Sequence, residues 1–134
     1  MAIYVDTSAM FKHYVIEPGS DNCDSILRAD PDWVMAHHGY VEMQHAFGQL
    51  LGDTDLADAL DVFVADWERV IVVELDREIY QRASEFSITL GMRTLDALHL
   101  AAAQRAGGAA LPFLTFDVRQ GLAARSLGWT VLGV

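Results

Sequence analysis

Ala2-Ile-Tyr-Val-Asp6-Thr-Ser-Ala-Met10 decides how the chain is read. Four apolar residues make a run of the length of a buried strand, and an acid with two hydroxyl residues behind it marks the switch from strand to helix. Comparable apolar runs recur at Trp33 to Ala36, Val70 to Glu74, Phe113 to Phe116 and Thr130 to Leu132. Helical patterns separate them. Cys23, Ile26 and Leu27 mark one helix, and Val41, Phe47, Leu50 and Leu51 mark a second after His38-Gly39. Leu56, Leu60, Phe63, Val64 and Trp67 fall on one helical face, with Asp55, Asp58, Asp61 and Asp66 on a solvated opposite face. Ile79, Ala83, Phe86 and Leu90 repeat the pattern and stop at Gly91; Leu95 to Ala106 is apolar almost all round, which predicts a buried helix. Short strands alternating with helices imply parallel pairing through right-handed crossovers. The expected fold is therefore a three-layer α/β/α sandwich with a central parallel sheet.

The 134 residues, 52% apolar, suit one domain spanning residues 1–134 with a sizeable core. The N-terminus has no basic leader, and no apolar run is long enough to span a bilayer, so a cytoplasmic protein without a membrane segment is expected. The lone Cys23 excludes an internal disulfide and a cysteine-based zinc cluster, and is read as a small core residue. Nine Lys and Arg against nineteen Asp and Glu give a formal net charge of −10. Taken alone, that balance argues against a nucleic-acid partner and suits a basic protein partner. Bound cations would offset part of it, and Lys12, Arg93 and Arg119 lie within a few residues of acidic positions.

Asp6, Glu42, Asp96 and Asp117 each follow an apolar residue where a strand ends or a helix begins. In an open parallel sheet, sites form at the carboxyl ends of the strands where strand order reverses, so these acids are expected along one edge. Each has a second reading as a helix cap worth about 0.3–1 kcal/mol, and Asp117-Val-Arg-Gln120 reads as a capping box. Caps, however, can lie anywhere around a domain. Two like charges about 6 Å apart repel by about 3 kcal/mol at an effective dielectric near 20. Gathered together, the four need a divalent cation, and without it at least one carboxyl should have a raised pKa. Oxygen ligands alone favour hard ions such as Mg²⁺ or Mn²⁺.

Thr7, Ser8 and Thr115 stand beside these acids and can orient a carboxylate or a water; Thr7 or Ser8 equally serves as the cap of the first helix. His45 and His99 follow Glu42 and Asp96 by three residues, which leaves a mixed histidine and carboxylate metal site beside the reading of packed or surface residues. His37-His38 is read as a loop pair. Phe11 and Tyr14 are open to two readings, a partner groove or core packing. No nucleophile elbow, phosphate-binding loop or dinucleotide fingerprint is present. An aspartate-phosphorylated α/β protein would need an acid beside or two after Asp6, or a lysine after a late strand. Thr7 and Ser8 stand there instead, and Lys12 is the only lysine.

The motifs carry a family resemblance. Tyr4-Val-Asp-Thr-Ser-Ala-Met10 with Lys12 and Tyr14, then Glu17-Pro-Gly-Ser20, resembles the opening of PIN-domain ribonucleases of the VapC toxin type. Leu95-Asp-Ala-Leu-His-Leu-Ala-Ala-Ala103 and Leu114-Thr-Phe-Asp-Val-Arg119 resemble their later motifs. The resemblance implies a PIN-like fold and a Mg²⁺- or Mn²⁺-dependent endoribonuclease acting on tRNA or ribosomal RNA. It also implies inhibition by a VapB-type antitoxin, and dimerisation. By position, Asp6, Asp96, Asp117 and Glu42 match the catalytic, metal-holding acids. Arg93 and Arg119, outside that match, are read either as contacts to substrate phosphate or as surface ion pairs. Val41 before Glu42, where the family has a small residue, and the charge of −10 are departures from its pattern. A PIN-like binding module without activity is the non-enzymatic alternative.

Overall fold

Along the first strand, β1 (Ala2–Val5), Ile3 and Val5 face one side of the sheet and Tyr4 the other, and all three are fully buried. A strand buried on both faces needs helices above and below it. The computed structural model describes all of residues 1–134 and supplies them: α1 (Thr7–Tyr14), α2 (Ser20–Ala29), β2 (Asp32–Ala36), α3 (His38–Leu50), α4 (Asp53–Trp67), β3 (Ile71–Val73), α5 (Arg77–Leu90), α6 (Thr94–Ala106), β4 (Phe113–Thr115), α7 (Val118–Ser126) and β5 (Val131–Gly133), with a 3₁₀ turn at Gly108–Ala110. The five strands form one sheet in the order β3-β2-β1-β4-β5, every pair parallel. No helix is long and apolar enough to cross a membrane.

Each face of the sheet carries its own core. Ile3, Val5, Met35 and Leu114 meet Met10, Phe11, Cys23, Met43, Phe47 and Phe63 from α1 to α4. On the other face Tyr4, Val34, Ala36 and Phe113 meet Ile79, Phe86, the alanines of α6 and Ala124 of α7. The alternation along β1 thus fixes a three-layer α/β/α sandwich, as the sequence predicts. Alanine is the good helix former with the least bulk, and the run Ala101-Ala102-Ala103 lets α6 lie close to the sheet. Gly91, at φ 64°, ends α5 in the left-handed region where a glycine carries no Cβ penalty.

Three local readings need correction. Phe11 and Tyr14 are built into the core rather than into an open groove: Phe11 is 7% exposed, and Tyr14 stacks edge-on against Phe47 and Phe63. Asp66 is not part of the solvated face, because it accepts a hydrogen bond from the Tyr14 hydroxyl at 2.7 Å. His38 is no loop residue; it is the first residue of α3.

The strand order places the reversal point between β1 and β4. From β1 the chain winds outward to β2 and β3, then returns to build β4 and β5 on the other side. Whatever follows Val5 and Thr115 therefore lies at the crevice where such sheets bind ligands.

Candidate active site

Asp6 follows β1 directly and caps α1, so the cap is this acid and neither Thr7 nor Ser8. One carboxylate oxygen accepts from the Ala9 backbone N–H at 3.2 Å and the Ser8 hydroxyl at 2.6 Å; the other accepts from the Thr115 hydroxyl at 2.5 Å. The group is only 4% exposed. Burial lifts its pKa above the ordinary carboxylate value, against the opposing charge of His99 and the hydrogen bonds from Ser8, Thr115 and Ala9. The same two hydroxyls stitch the ends of β1 and β4 together: Ser8 Oγ accepts from Phe116 N–H at 3.0 Å and Thr115 Oγ1 from Asp117 N–H at 3.1 Å.

Asp117 caps α7 by accepting from the backbone N–H groups of Arg119 and Gln120 at 2.9 and 3.3 Å. The capping box expected from the sequence is half formed. The Gln120 side chain does not return to Asp117; its Nε2 donates to the backbone oxygen of Asp96 at 3.1 Å and ties α7 to the first turn of α6. Asp96 is half-buried there. Burial raises its pKa, Arg93 opposes the rise, and the charge of Asp117 adds to it. The sequence predicts a raised carboxyl from like-charge crowding, and at both Asp6 and Asp96 the larger cause is burial. Arg93, 69% exposed, lies across the pair, with Nε 3.3 Å from Asp96 and Nη2 3.6 Å from Asp117.

Glu42 reaches the edge from the second turn of α3, one residue beyond the first turn expected for it. Its Oε1 accepts from the Thr7 hydroxyl at 2.9 Å and lies 2.6 Å from His99 Nε2 and 3.3 Å from His38 Nε2. Burial alone would raise this carboxyl, but the hydrogen bond and charge of His99, with His38 and Thr7, bring its pKa below the ordinary value. Burial pushes the His38 imidazole down to about 4. Tyr4 completes the network: its oxygen accepts from Ala36 N–H at 3.1 Å, which leaves its O–H to donate to His99 Nδ1 at 2.8 Å. His99 Nε2–H then points at Glu42. Gly39 faces this network closely: a Cβ there would sit 3.7 Å from His99 Cε1 and would displace the tip of Met35, whose Cε would lie 2.8 Å away.

The sheet edge therefore collects Asp6, Thr7, Ser8, Glu42, Arg93, Asp96, Thr115 and Asp117. Arg119 is exposed one turn away and, with Arg93, Asp96 and Leu122, lines a cavity of about 660 Å³ between the α5–α6 turn and α7. His45 is exposed on α3 and takes no part. Lys12 is spent elsewhere, paired with Glu17 at 2.9 Å and lying over the Phe116 ring. Sequence reasoning missed His38, Tyr4 and Gln120. His38 carried a usable signal, standing four residues before Glu42 on one helix face; Tyr4 and Gln120 depend on tertiary contacts that no local pattern announces.

Asp6 and Asp96, both raised in pKa by burial, are oxygen donors whose ionised form a hard divalent cation would favour, while the donor atoms found within 4.8 Å of one another are those of His38, Glu42 and His99. The PIN domain family model matches residues 3–125. Ribonuclease VapC46 of Mycobacterium tuberculosis is 33% identical over 131 residues, covering 98% of this chain and 96% of its own length. Among solved structures, VapC20 of Mycobacterium tuberculosis, a sarcin-ricin loop cleaving toxin, superimposes with a TM-score of 0.74 at 17% identity, covering 90% of this chain and 94% of that one. A toxin–antitoxin complex from Klebsiella pneumoniae gives 0.70 at 13% identity, with 88% of each chain covered. These matches define the class, that of the PIN fold. The chain belongs to the PIN-domain family, on its VapC ribonuclease branch. Nucleases of this family generally use a divalent metal.

Proposed function

We propose that this protein is the toxin of a type II toxin–antitoxin pair, a Mg²⁺- or Mn²⁺-dependent endoribonuclease. Asp6, Asp96 and Asp117 would hold the cation, with Glu42 completing the acidic set directly or through water. The observation that carries this reading is the buried Asp6 carboxylate at the strand-order reversal, lifted in pKa and linked through one threonine hydroxyl to the backbone of Asp117. A divalent cation held by these carboxylates would supply Lewis-acid polarisation of a phosphate oxygen, a water of lowered pKa and charge stabilisation for the leaving 3′-oxygen.

The chain's own residues do the rest. Ser8 and Thr115 aim the Asp6 carboxylate by occupying an oxygen each, and Gln120 fixes the spacing between α6 and α7. Arg93 and Arg119, at the mouth of the cavity beside Asp96, supply positive charge for flanking phosphates on an otherwise acidic surface. The substrate class is structured RNA, tRNA or ribosomal RNA; the ribosomal choice gains support from the sarcin-ricin cleavage named for VapC20. A VapB-type antitoxin is the proposed partner, supported by the toxin–antitoxin complex among the structural neighbours, and a basic segment of it would suit a net charge of −10. The active toxin is proposed to be a homodimer.

The experiment is cleavage of bulk RNA by the purified protein with EDTA, Mg²⁺ or Mn²⁺. Cleavage should require the cation and fall by at least about 10²-fold in Asp96→Asn, the upper end of what loss of even an outer partner of a metal ligand costs. Circular dichroism should show that variant still folded. Undiminished cleavage in EDTA, or by Asp96→Asn, would overturn the reading.

A further inference from the structure

Beside the aspartates stands a donor set of different chemistry. His38 Nε2 and His99 Nε2 both face one oxygen, Glu42 Oε1, at 3.3 and 2.6 Å. One ligating atom from each of the three residues lies within 4.8 Å of the others, a range from which side-chain adjustment reaches the ligand spacing set by metal–ligand bonds of about 2.0–2.2 Å. The trio is enclosed, with side-chain exposures of 12% for His38, 21% for Glu42 and 2% for His99.

The side chains are held from outside the trio. In the metal-free chain Tyr4 O–H donates to His99 Nδ1 and Thr7 O–H donates to Glu42, which fixes the ring and the carboxylate in orientation; ligation through His99 Nε2 takes the other tautomer, with Nδ1–H donating to the Tyr4 oxygen. His38 Nε2 also lies 3.3 Å from the Leu95 carbonyl, while its buried Nδ1 has no partner at all. The two imidazoles, 4.2 Å between ring centroids and tilted by 44°, converge on one carboxylate oxygen, where a shared cation would take a donor from each of the three residues.

We propose that His38, Glu42 and His99 form a binding site for a borderline transition-metal dication, with Zn²⁺ as the type ion, next to the aspartate site and selective against Mg²⁺. Two imidazole nitrogens and one carboxylate favour zinc and the late first-row ions, whereas Mg²⁺ prefers oxygen. Three protein ligands leave a fourth position open to water. Glu42 is the one donor shared with the proposed acidic set, so occupancy of one site sets the availability of that carboxylate to the other. The inference deepens the nuclease reading only through Glu42. Its test reads metal uptake, so the two can fail separately.

The test uses the full chain, stripped with EDTA, ¹⁵N-labelled at histidine and titrated with Zn²⁺ in excess Mg²⁺. The Nε2 resonances of His38 and His99 should shift together and saturate at one equivalent, with His13, His37 and His45 unmoved. His38→Gln should weaken Zn²⁺ binding by on the order of 10²-fold, while Asp96→Asn leaves it unchanged; metal-free thermal melts report whether each variant folds. The labelled native chain gives its answer even if His38→Gln does not fold. No Zn²⁺ uptake, shifts confined to the other histidines, native affinity in His38→Gln, or loss of binding in Asp96→Asn would each overturn the proposal.

Discussion

The two ends of the acidic edge neutralise charge in opposite ways. On the α3 side, Glu42 is wrapped by two imidazoles and a hydroxyl, and its pKa falls. On the α6–α7 side, Asp96 and Asp117 share one exposed arginine, and the pKa of Asp96 rises; buried Asp6 between them rises too. Glu42, ionised among imidazoles, has little to gain from a hard cation and offers its oxygen to a softer one. Asp6 and Asp96, whose burial disfavours their charged form, are the part of the edge where a hard cation would gain the most.

Among changes that leave every acid in place, breaking the link between Asp6 and Asp117 should have the largest effect. Thr115→Val keeps the shape but removes the hydroxyl that donates to Asp6 and accepts from Asp117 N–H. Mn²⁺ affinity and RNA cleavage should both fall about 10- to 100-fold, as for loss of an outer hydrogen bond to a metal ligand. Chemical denaturation should show about 1–3 kcal/mol lost, since buried polar groups are left unpaired. Native affinity in Thr115→Val would show that the aspartates do not act as one unit.

The pH dependence of the metal-free protein sharpens the contrast. Asp6 and Asp96 have raised pKa values, so their contribution to stability is fully present below the unfolded value near 4 and is lost as pH rises through the folded values. His38, pushed down to about 4, acts the other way: its contribution is lost as pH falls from the unfolded value of about 6.5 toward 4. Saturating Mn²⁺ should remove the loss on the rising side and leave the His38 loss in place. Melting temperatures across pH 3 to 8, with and without Mn²⁺, check this. Two parallel profiles would contradict it.

The smallest effect is expected at Arg93. Exposed ion pairs are worth about 0–1 kcal/mol, so Arg93→Ala should tighten Mn²⁺ binding by no more than about fivefold, through loss of a competing cation. Calorimetry checks it, and weaker Mn²⁺ binding in the variant would contradict a role as competitor.

Much of this was legible in the sequence, for physical reasons. Ala2 to Val5 and Phe113 to Thr115 are apolar runs of strand length, and the helices that alternate with them leave few topologies other than a parallel sandwich. The edge position of Asp6 and Asp117 follows from that topology alone. Local pattern could not reveal how each carboxylate is partnered. Gln120 looked like half of a capping box yet turns to Asp96, because the N-termini of α6 and α7 lie side by side only in the folded chain. The His37-His38 pair followed a strand and resembled a loop, and the helix expected after His38-Gly39 begins at His38 itself: a glycine that reads as punctuation stands inside the first turn, against Met35 and His99. His99, one of two histidines singled out by spacing, is central, whereas His45 at the same spacing points to solvent: a separation of three residues says which face of a helix is shared and not what covers it.

The central claim is that the aspartates at the β1–β4 reversal form a divalent-cation site. Titration of the EDTA-stripped chain with Mn²⁺, followed by calorimetry, tests it without reference to any substrate. The account predicts saturable uptake that is lost in Asp96→Asn and retained in His38→Gln. Absence of uptake by the native chain, or uptake undiminished in Asp96→Asn, would contradict it.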